Sequence, residues 1–221
     1  MHTKRIAVGC GKEDKWLSTP NPGAHGRSES ITLLVVVRDL LGYADNSKEA
    51  KKIIHDGMIA VDKKVRKDHK FGVGLMDVVE IPKIEKHFRL LPGKKGLALK
   101  EISEEESKIK LCRITGKKKM KKGVIQLMTH DGGIITPAKD EYKVNDTLVI
   151  KLPERKLEDG VKFEKGNLAL VFKGRHTGRS GKIKDLLPGT ATRNSITTLE
   201  DIRTLTSYSF VIGTDKPLIK I

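Results

Sequence analysis

The stretch NSKEAKKIIHDGMIAVDKKVRKDHKFGVGLMDVVEIP, residues 46–82, carries the reading from which the fold follows. Asn46 or Ser47 can cap a first helical turn, and Gly57 supplies a left-handed stop, so 46–56 predicts a short helix. At 100° per residue Ala50, Ile53 and Ile54 share one face, and Lys48, Lys51, Lys52 and His55 share the opposite one. Only Glu49 and Asp56 interrupt that cationic stripe, at its edge, so ion pairs along the helix do not account for it. A solvated outer face is one explanation; an anion-binding face is the other. Ile59 and Val61, then Val65, flank Asp62-Lys63-Lys64, which reads as a tight hairpin with a cationic tip and Arg66 just beyond. Val78, Val79 and Ile81 form a further strand that Pro82 stops.

Upstream, ITLLVVVRDLL (residues 31–41) is ambiguous. The β-branched run Val35–Val37 favours a buried strand, whereas the length, Ser30 before it and Gly42 after it favour a helix. Residues 1–30 show little periodicity and scatter Lys4, Arg5, His25 and Arg27 among glycines. They read as an extended basic arm anchored by Trp16 and Leu17, or as a tail that orders only on a partner.

Downstream, residues 84–160 give short apolar runs at about ten-residue spacing, which suggests a small β-barrel or sandwich. Between two of them lies GKKKMKKG (116–123), where Lys117, Lys118, Lys119, Lys121 and Lys122 crowd together with no acid. Phosphates would neutralise such a loop and release counterions. Thr129-His130-Asp131-Gly132-Gly133 invites a catalytic interpretation, but a Gly-rich turn with Asp131 at a left-handed position explains it more simply. Further on, GNLALVFKGRHTGRSGKI (166–183) predicts a strand, a loop with Gly174, Gly178 and Gly181, and a second strand. Lys173, Arg175, His176 and Arg179 place donors beside exposed backbone N–H groups, a combination suited to a sugar-phosphate backbone.

The whole chain has 221 residues, 44 Lys plus Arg against 28 Asp plus Glu, and a formal charge of +16. Such an excess of one sign repels itself and is relieved by a polyanion. Purely apolar runs such as Leu33–Val37 fall far short of the ~20 residues that span a bilayer. The start, Met1-His2-Thr3-Lys4-Arg5, leads into no apolar signal core, and the two cysteines form no disulfide framework, which fits a reducing cytoplasm. Aromatics, at 4%, are too few for a binder that works mainly by stacking bases. No P-loop, HExxH, GxSxG, CxxC or complete dinucleotide-binding glycine pattern occurs. Neither catalysis, a metal nor a cofactor is expected.

Residues 30–82 resemble the RNA-binding domain named after small-subunit ribosomal protein four, and 163–187 resemble a KOW motif. With LCRITGKKKMKKG, QLMTHDGG, KVNDTLVI and SFVIGTDKP in this order, nearly the full chain is similar to the archaeal and eukaryotic ribosomal proteins of the S-four-e type. The family's N-terminal start corresponds to Thr3-Lys4-Arg5-Ile6-Ala7-Val8 and Trp16, with Val8 where a proline is common. The chain ends at Ile221 without the basic extension of eukaryotic members, which makes it resemble an archaeal one.

The resemblance implies a helix at 31–41 and an α+β, multi-domain, largely β fold. Its parts would be an arm (1–30), a two-helix plus small-sheet RNA-binding domain (31–83), a central β-barrel-like domain (84–160) and an SH3-like KOW barrel (161–221). It also implies a cytoplasmic, non-catalytic ribosome component. The partners would be small-subunit ribosomal RNA and neighbouring small-subunit proteins, with no membrane and no small-molecule substrate. Matched residue by residue, the RNA-facing positions are Lys48, Lys51, Lys52 and His55 on the helix, Lys63, Lys64 and Arg66 at the hairpin, and Lys173 to Arg179 in the KOW loop. The alternatives are an RNA-modifying enzyme with this N-terminal module and a KOW-containing transcription elongation factor.

Overall fold

A computed structural model describes residues 17–93 and 96–221. The chain divides into two units, one of residues up to Lys110 together with Leu152–Glu154, the other of Leu111–Lys151 and Arg155–Ile221. Both are mostly β, and among the described residues no helix is long and apolar enough to cross a membrane.

In the first unit, β1 (Ser30–Thr32) is followed directly by the helical segment α1 (Leu33–Val35), which continues as a π turn over Val36–Leu40. The ambiguous stretch thus holds both structures. β1 pairs with β4 (Gly72–Gly74), and the chain then coils so that Leu33–Val37 are all buried. The π turn is closed by bonds from Leu41 N to Val36 O and from Tyr43 N to Val37 O. α2 (Ser47–His55) packs Ala50 and Ile54 into the same core.

β2 (Ala60–Val61) and β3 (Lys64–Val65) form the expected hairpin. Asp62 and Lys63 both sit at positive φ, 52° and 63°, the geometry of a two-residue turn whose twist matches the strands. β5 (Val78–Ile81) pairs with β2 and with β6 (Lys86–Gly93), and β6 pairs with β7 (Gly96–Ile102), giving the order β3-β2-β5-β6-β7. The boundary expected at 83/84 falls inside this sheet, because Val78–Ile81 bond directly to Lys86–Arg89 across it. The short helix α3 (Glu104–Ser107), capped by Ser103, leads out.

In the second unit, β8 (Ile109–Lys119, its first two residues in the first unit), β9 (Ile125–Thr129), β10 (Ile134–Ile135), β11 (Thr147–Lys151) and β12 (Lys156–Val161) make a sheet of order β10-β9-β8-β11-β12. One face buries Cys112, Ile114, Leu127, Ile135, Leu148 and Ile150. β13 (Leu168–Val171), β14 (Ser180–Leu187), β15 (Ile196–Leu199), β16 (Ile202–Leu205) and β17 (Ser209–Gly213) make another, ordered β16-β15-β14-β13-β17. Its core, with Ala169, Val171, Ile183, Leu199 and Val211, also takes in Val161.

Candidate nucleic-acid interface

α2 presents its cations as the periodicity predicts. Asn46 accepts from Lys48 N at 2.9 Å and Glu49 N at 3.0 Å and caps the helix. Glu49 turns back to accept from Asn46 Nδ2 at 2.8 Å and Asp45 N at 3.1 Å, so the acid beside the stripe closes the helix start instead of neutralising lysines. Lys48, Lys51, Lys52 and His55 are exposed, and no carboxylate among the described residues is ion-paired with the three lysines.

The hairpin divides its cations. Lys64 is exposed. Lys63 turns inward, its ammonium 2.6 Å from the buried Glu80 carboxylate and 2.8 Å from Ser107 Oγ, which corrects its expected place on the outer surface. Lys63 thereby supplies a permanent positive charge to the buried Glu80, which also has His87 Nδ1 at 3.4 Å. The Arg66 guanidinium, half-buried, lies 4.4 Å from the Phe71 ring centroid.

His25, expected in the basic arm's RNA contacts, is an internal residue. It is 7% exposed and its Nε2 lies 2.9 and 3.0 Å from the two Asp77 carboxylate oxygens. The ring lies so close to Gly74 that a Cβ there would come within 2.4 Å of it. Lys110, also buried, joins them, donating to Asp77 at 2.6 Å and Asp62 at 2.5 Å. Burial would push the Asp77 carboxyl up, but Lys110 and His25 outweigh it and hold it far below the usual range. Burial and the Asp77 charge raise the Asp62 carboxyl against the pull of Lys110. This network fixes the hairpin from beneath. Arg27 is exposed; Lys4, Arg5 and Trp16 lie outside the described residues.

The lysine-rich stretch is only partly a loop. β8 runs on through Lys119, pairing Lys117, Lys118 and Lys119 with Leu127, Gln126 and Ile125, and the turn is confined to 120–124. The structure also supplies an acid the local sequence lacks: Lys117 is ion-paired with Asp140 and donates to Tyr142 O at 2.9 Å. Lys118, Lys119 and Lys121 are exposed, while the side chain of Lys122 lies outside the described ones.

The glycine loop between β13 and β14 forms as expected. Gly174 and Gly178 adopt φ of 92° and 83°, and Gly178 N donates to Val171 O at 2.8 Å. A Cβ on Gly174 would meet the Tyr208 ring at 3.1 Å. Lys173, Arg175 and Arg179 are exposed and His176 half-buried; the Lys173 ammonium is 5.9 Å from the Tyr208 ring centroid.

At the glycine turn after β9, Gly132 and not Asp131 takes the left-handed conformation, with φ of 70°. Asp131 is buried and accepts from Thr129 Oγ1 at 2.5 Å and Arg155 Nη2 at 2.9 and 3.1 Å. His130 Nδ1 accepts from Arg113 N at 3.2 Å, and Cys112 Sγ lies 3.6 Å from Asp131. The three candidate donor atoms fall within 4.8 Å of one another, yet Asp131 is occupied by Arg155 and His130 by backbone. The cluster clamps a turn.

Sequence reasoning missed a cleft lined by Ser18, Leu34, Arg38, Ser47, Lys51, His69 and Lys70. Of these only Lys51 stands out in the sequence. Arg38, at the end of an ambiguous apolar run, and His69-Lys70, in a polar connection, join it through tertiary bonds such as Leu34 N to His69 O at 3.0 Å.

The pattern described as Ribosomal family S4e matches residues 84–157. The small ribosomal subunit protein eS4 of Ignicoccus hospitalis is 40% identical over 240 residues, covering 100% of this chain and 94% of that one. Its counterpart of the same name in Archaeoglobus fulgidus is 42% identical over 234 residues, covering 100% and 98%. The crystal structure of the 30S ribosomal protein S4e from Thermoplasma acidophilum superposes with a TM-score of 0.76 at 30% identity, covering 84% of this chain and 96% of that one.

Proposed function

Because the chain belongs to the ribosomal S4e family, we propose that it is a non-catalytic structural constituent of the cytoplasmic small ribosomal subunit and binds ribosomal RNA through several basic modules. The helix–hairpin part of the first unit serves as the RNA-binding domain named after ribosomal protein four. The glycine loop of 172–179 serves as a KOW loop on an SH3-like barrel, and the sheet of β8 to β12 as the central β domain. Arg27, the α2 stripe, Lys64, Arg66, the β8–β9 turn and the KOW loop each neutralise a few phosphates. Tethering on one chain then turns weak contacts into tight, slowly released binding. Backbone contacts dominate, because A-form RNA hides its deep groove from side chains. Neighbouring small-subunit proteins complete the environment, and the outcome is support of subunit assembly and translation.

The observation that carries this reading is the α2 stripe: three lysines and a histidine on one exposed face, with the adjacent acid committed to the helix cap. The test is the salt dependence of RNA affinity. Replacing Lys48, Lys51 and Lys52 with Ala is expected to shallow the slope of log K against log salt by about 2 to 3, at ~0.7–0.9 for each phosphate no longer neutralised. An unchanged slope would remove α2 from the interface, and a flat response of the parent protein would defeat the reading as a whole.

A further inference from the structure

The cleft beside the α2 stripe is built from four stretches of chain, the first contributing Ser18. Arg38, from the π turn, forms its wall, the guanidinium held by Asp39 at 2.5 and 2.8 Å and by Ser47 Oγ at 2.7 Å. α2 contributes Ser47 and Lys51, and the connection after the hairpin contributes His69 and Lys70. That connection is pinned in place: Phe71 N donates to Asp68 O at 3.1 Å, Asn21 N to Lys70 O at 3.0 Å, and Asn21 Nδ2 to Asp68 at 2.9 Å. Lys51 and Lys70 are both exposed at the mouth. A pinned, concave site with the ammonium groups of Lys51 and Lys70, an Arg38 guanidinium paired with Asp39, two serine hydroxyls from Ser18 and Ser47, and an imidazole offers a tetrahedral oxyanion positive charge and donors.

We propose that this cleft seats one phosphate of the RNA backbone, and that its occupation places a proton on His69. The proposal rests on the RNA-binding reading above and adds Ser18, Arg38, Ser47, His69 and Lys70 to the interface. In the free protein the cleft works against that proton. Burial first, then the charges of Lys51 and Lys70, lower the His69 imidazole below its ordinary value; Asp68, 3.9 Å from Nδ1, pulls the other way. Arg38 adds a further cation, balanced by Asp39. A phosphate among these groups cancels the repulsion and accepts a hydrogen bond from the imidazolium, so the pKa rises on binding. Affinity then strengthens as pH falls through the histidine range, by about tenfold for each unit by which occupancy raises the pKa.

The experiment follows the imidazole resonance of His69 in the full chain by NMR, assigned by its loss in His69→Gln, while titrating pH with a short RNA hairpin or with inorganic phosphate. The expected result is a higher His69 pKa in the presence of the hairpin, a smaller rise in Lys70→Ala, and an affinity that depends less on pH in His69→Gln than in the parent. Hairpin binding with a steep salt slope and an unmoved His69 would overturn the seat and leave the RNA-binding reading intact. A shift with inorganic phosphate but none with the hairpin would reassign the cleft to a free anion and overturn the backbone assignment. Failure of the hairpin to bind at all would take down both.

Discussion

Adjacent lysines at the first hairpin illustrate how a single side chain's surroundings decide its role. Lys64 points into solvent, while Lys63 is half-buried on Glu80 and Ser107. Lys63→Ala leaves Glu80 buried without its lysine partner, with His87 at 3.4 Å, and is expected to lower stability by about 1–3 kcal/mol in a urea titration. Lys64→Ala is expected to leave the urea midpoint in place and to shallow the salt slope of RNA binding. The sequence shows two equivalent cations, because the turn conformation that separates them depends on strand pairing. The buried network gives a pH signature of the same kind. The Asp77 carboxyl is depressed in the folded state, so its contribution to stability is complete above ~4 and is lost as pH falls toward the folded value. Asp62, raised, acts with the opposite sign and favours the fold as it takes up a proton. Asp77→Asn, which leaves the buried Lys110 and His25 with a weaker partner, is expected to lower stability at neutral pH and to flatten the acid limb of the melting profile.

Whole elements differ in how much of their structure local pattern can reveal. α2 was legible to within a residue because its cap, apolar face and stop all lie within twelve positions. The glycine loop was legible because Gly174 and Gly178 are needed where φ is positive. Gly174→Ala must both hold a Cβ at φ of 92° and push it against the Tyr208 ring, so it is expected to cost about 1–3 kcal/mol. The same substitution should weaken RNA binding by misplacing Lys173 and Arg175, read by comparing denaturation with affinity at fixed salt. Residues 31–41 were not decidable locally, because a strand that pairs with distant Gly72–Gly74 passes without a break into a buried helical turn. Residues 116–119 resembled a loop only because their strand partner, Ile125–Met128, supplies the apolar side of the pair. The cleft at Arg38 and His69 was illegible for the same reason: its residues are brought together by bonds between distant segments, such as Leu34 N to His69 O and Asn21 N to Lys70 O.

At the scale of the whole molecule the excess of +16 constrains folding and binding in opposite directions. In the free chain the like charges within α2, within the β8–β9 turn and within the glycine loop of 172–179 repel, and added salt screens that repulsion over a Debye length of about 10 Å at 0.1 M. On RNA the same charges release counterions, and added salt removes that gain. One set of side chains should therefore make thermal stability rise with ionic strength while RNA affinity falls. Replacing Lys118, Lys119 and Lys121 with Ala is expected to raise the melting temperature at low salt, to narrow its increase on going to high salt, and to shallow the binding slope by about 2 to 3. Combining this with the α2 triple variant should roughly add the two slope changes, since the clusters lie in different units. A melting temperature that drops in the β8–β9 variant would mean that those lysines hold the hairpin together, and a binding slope that ignores them would confine the RNA contacts to the other modules.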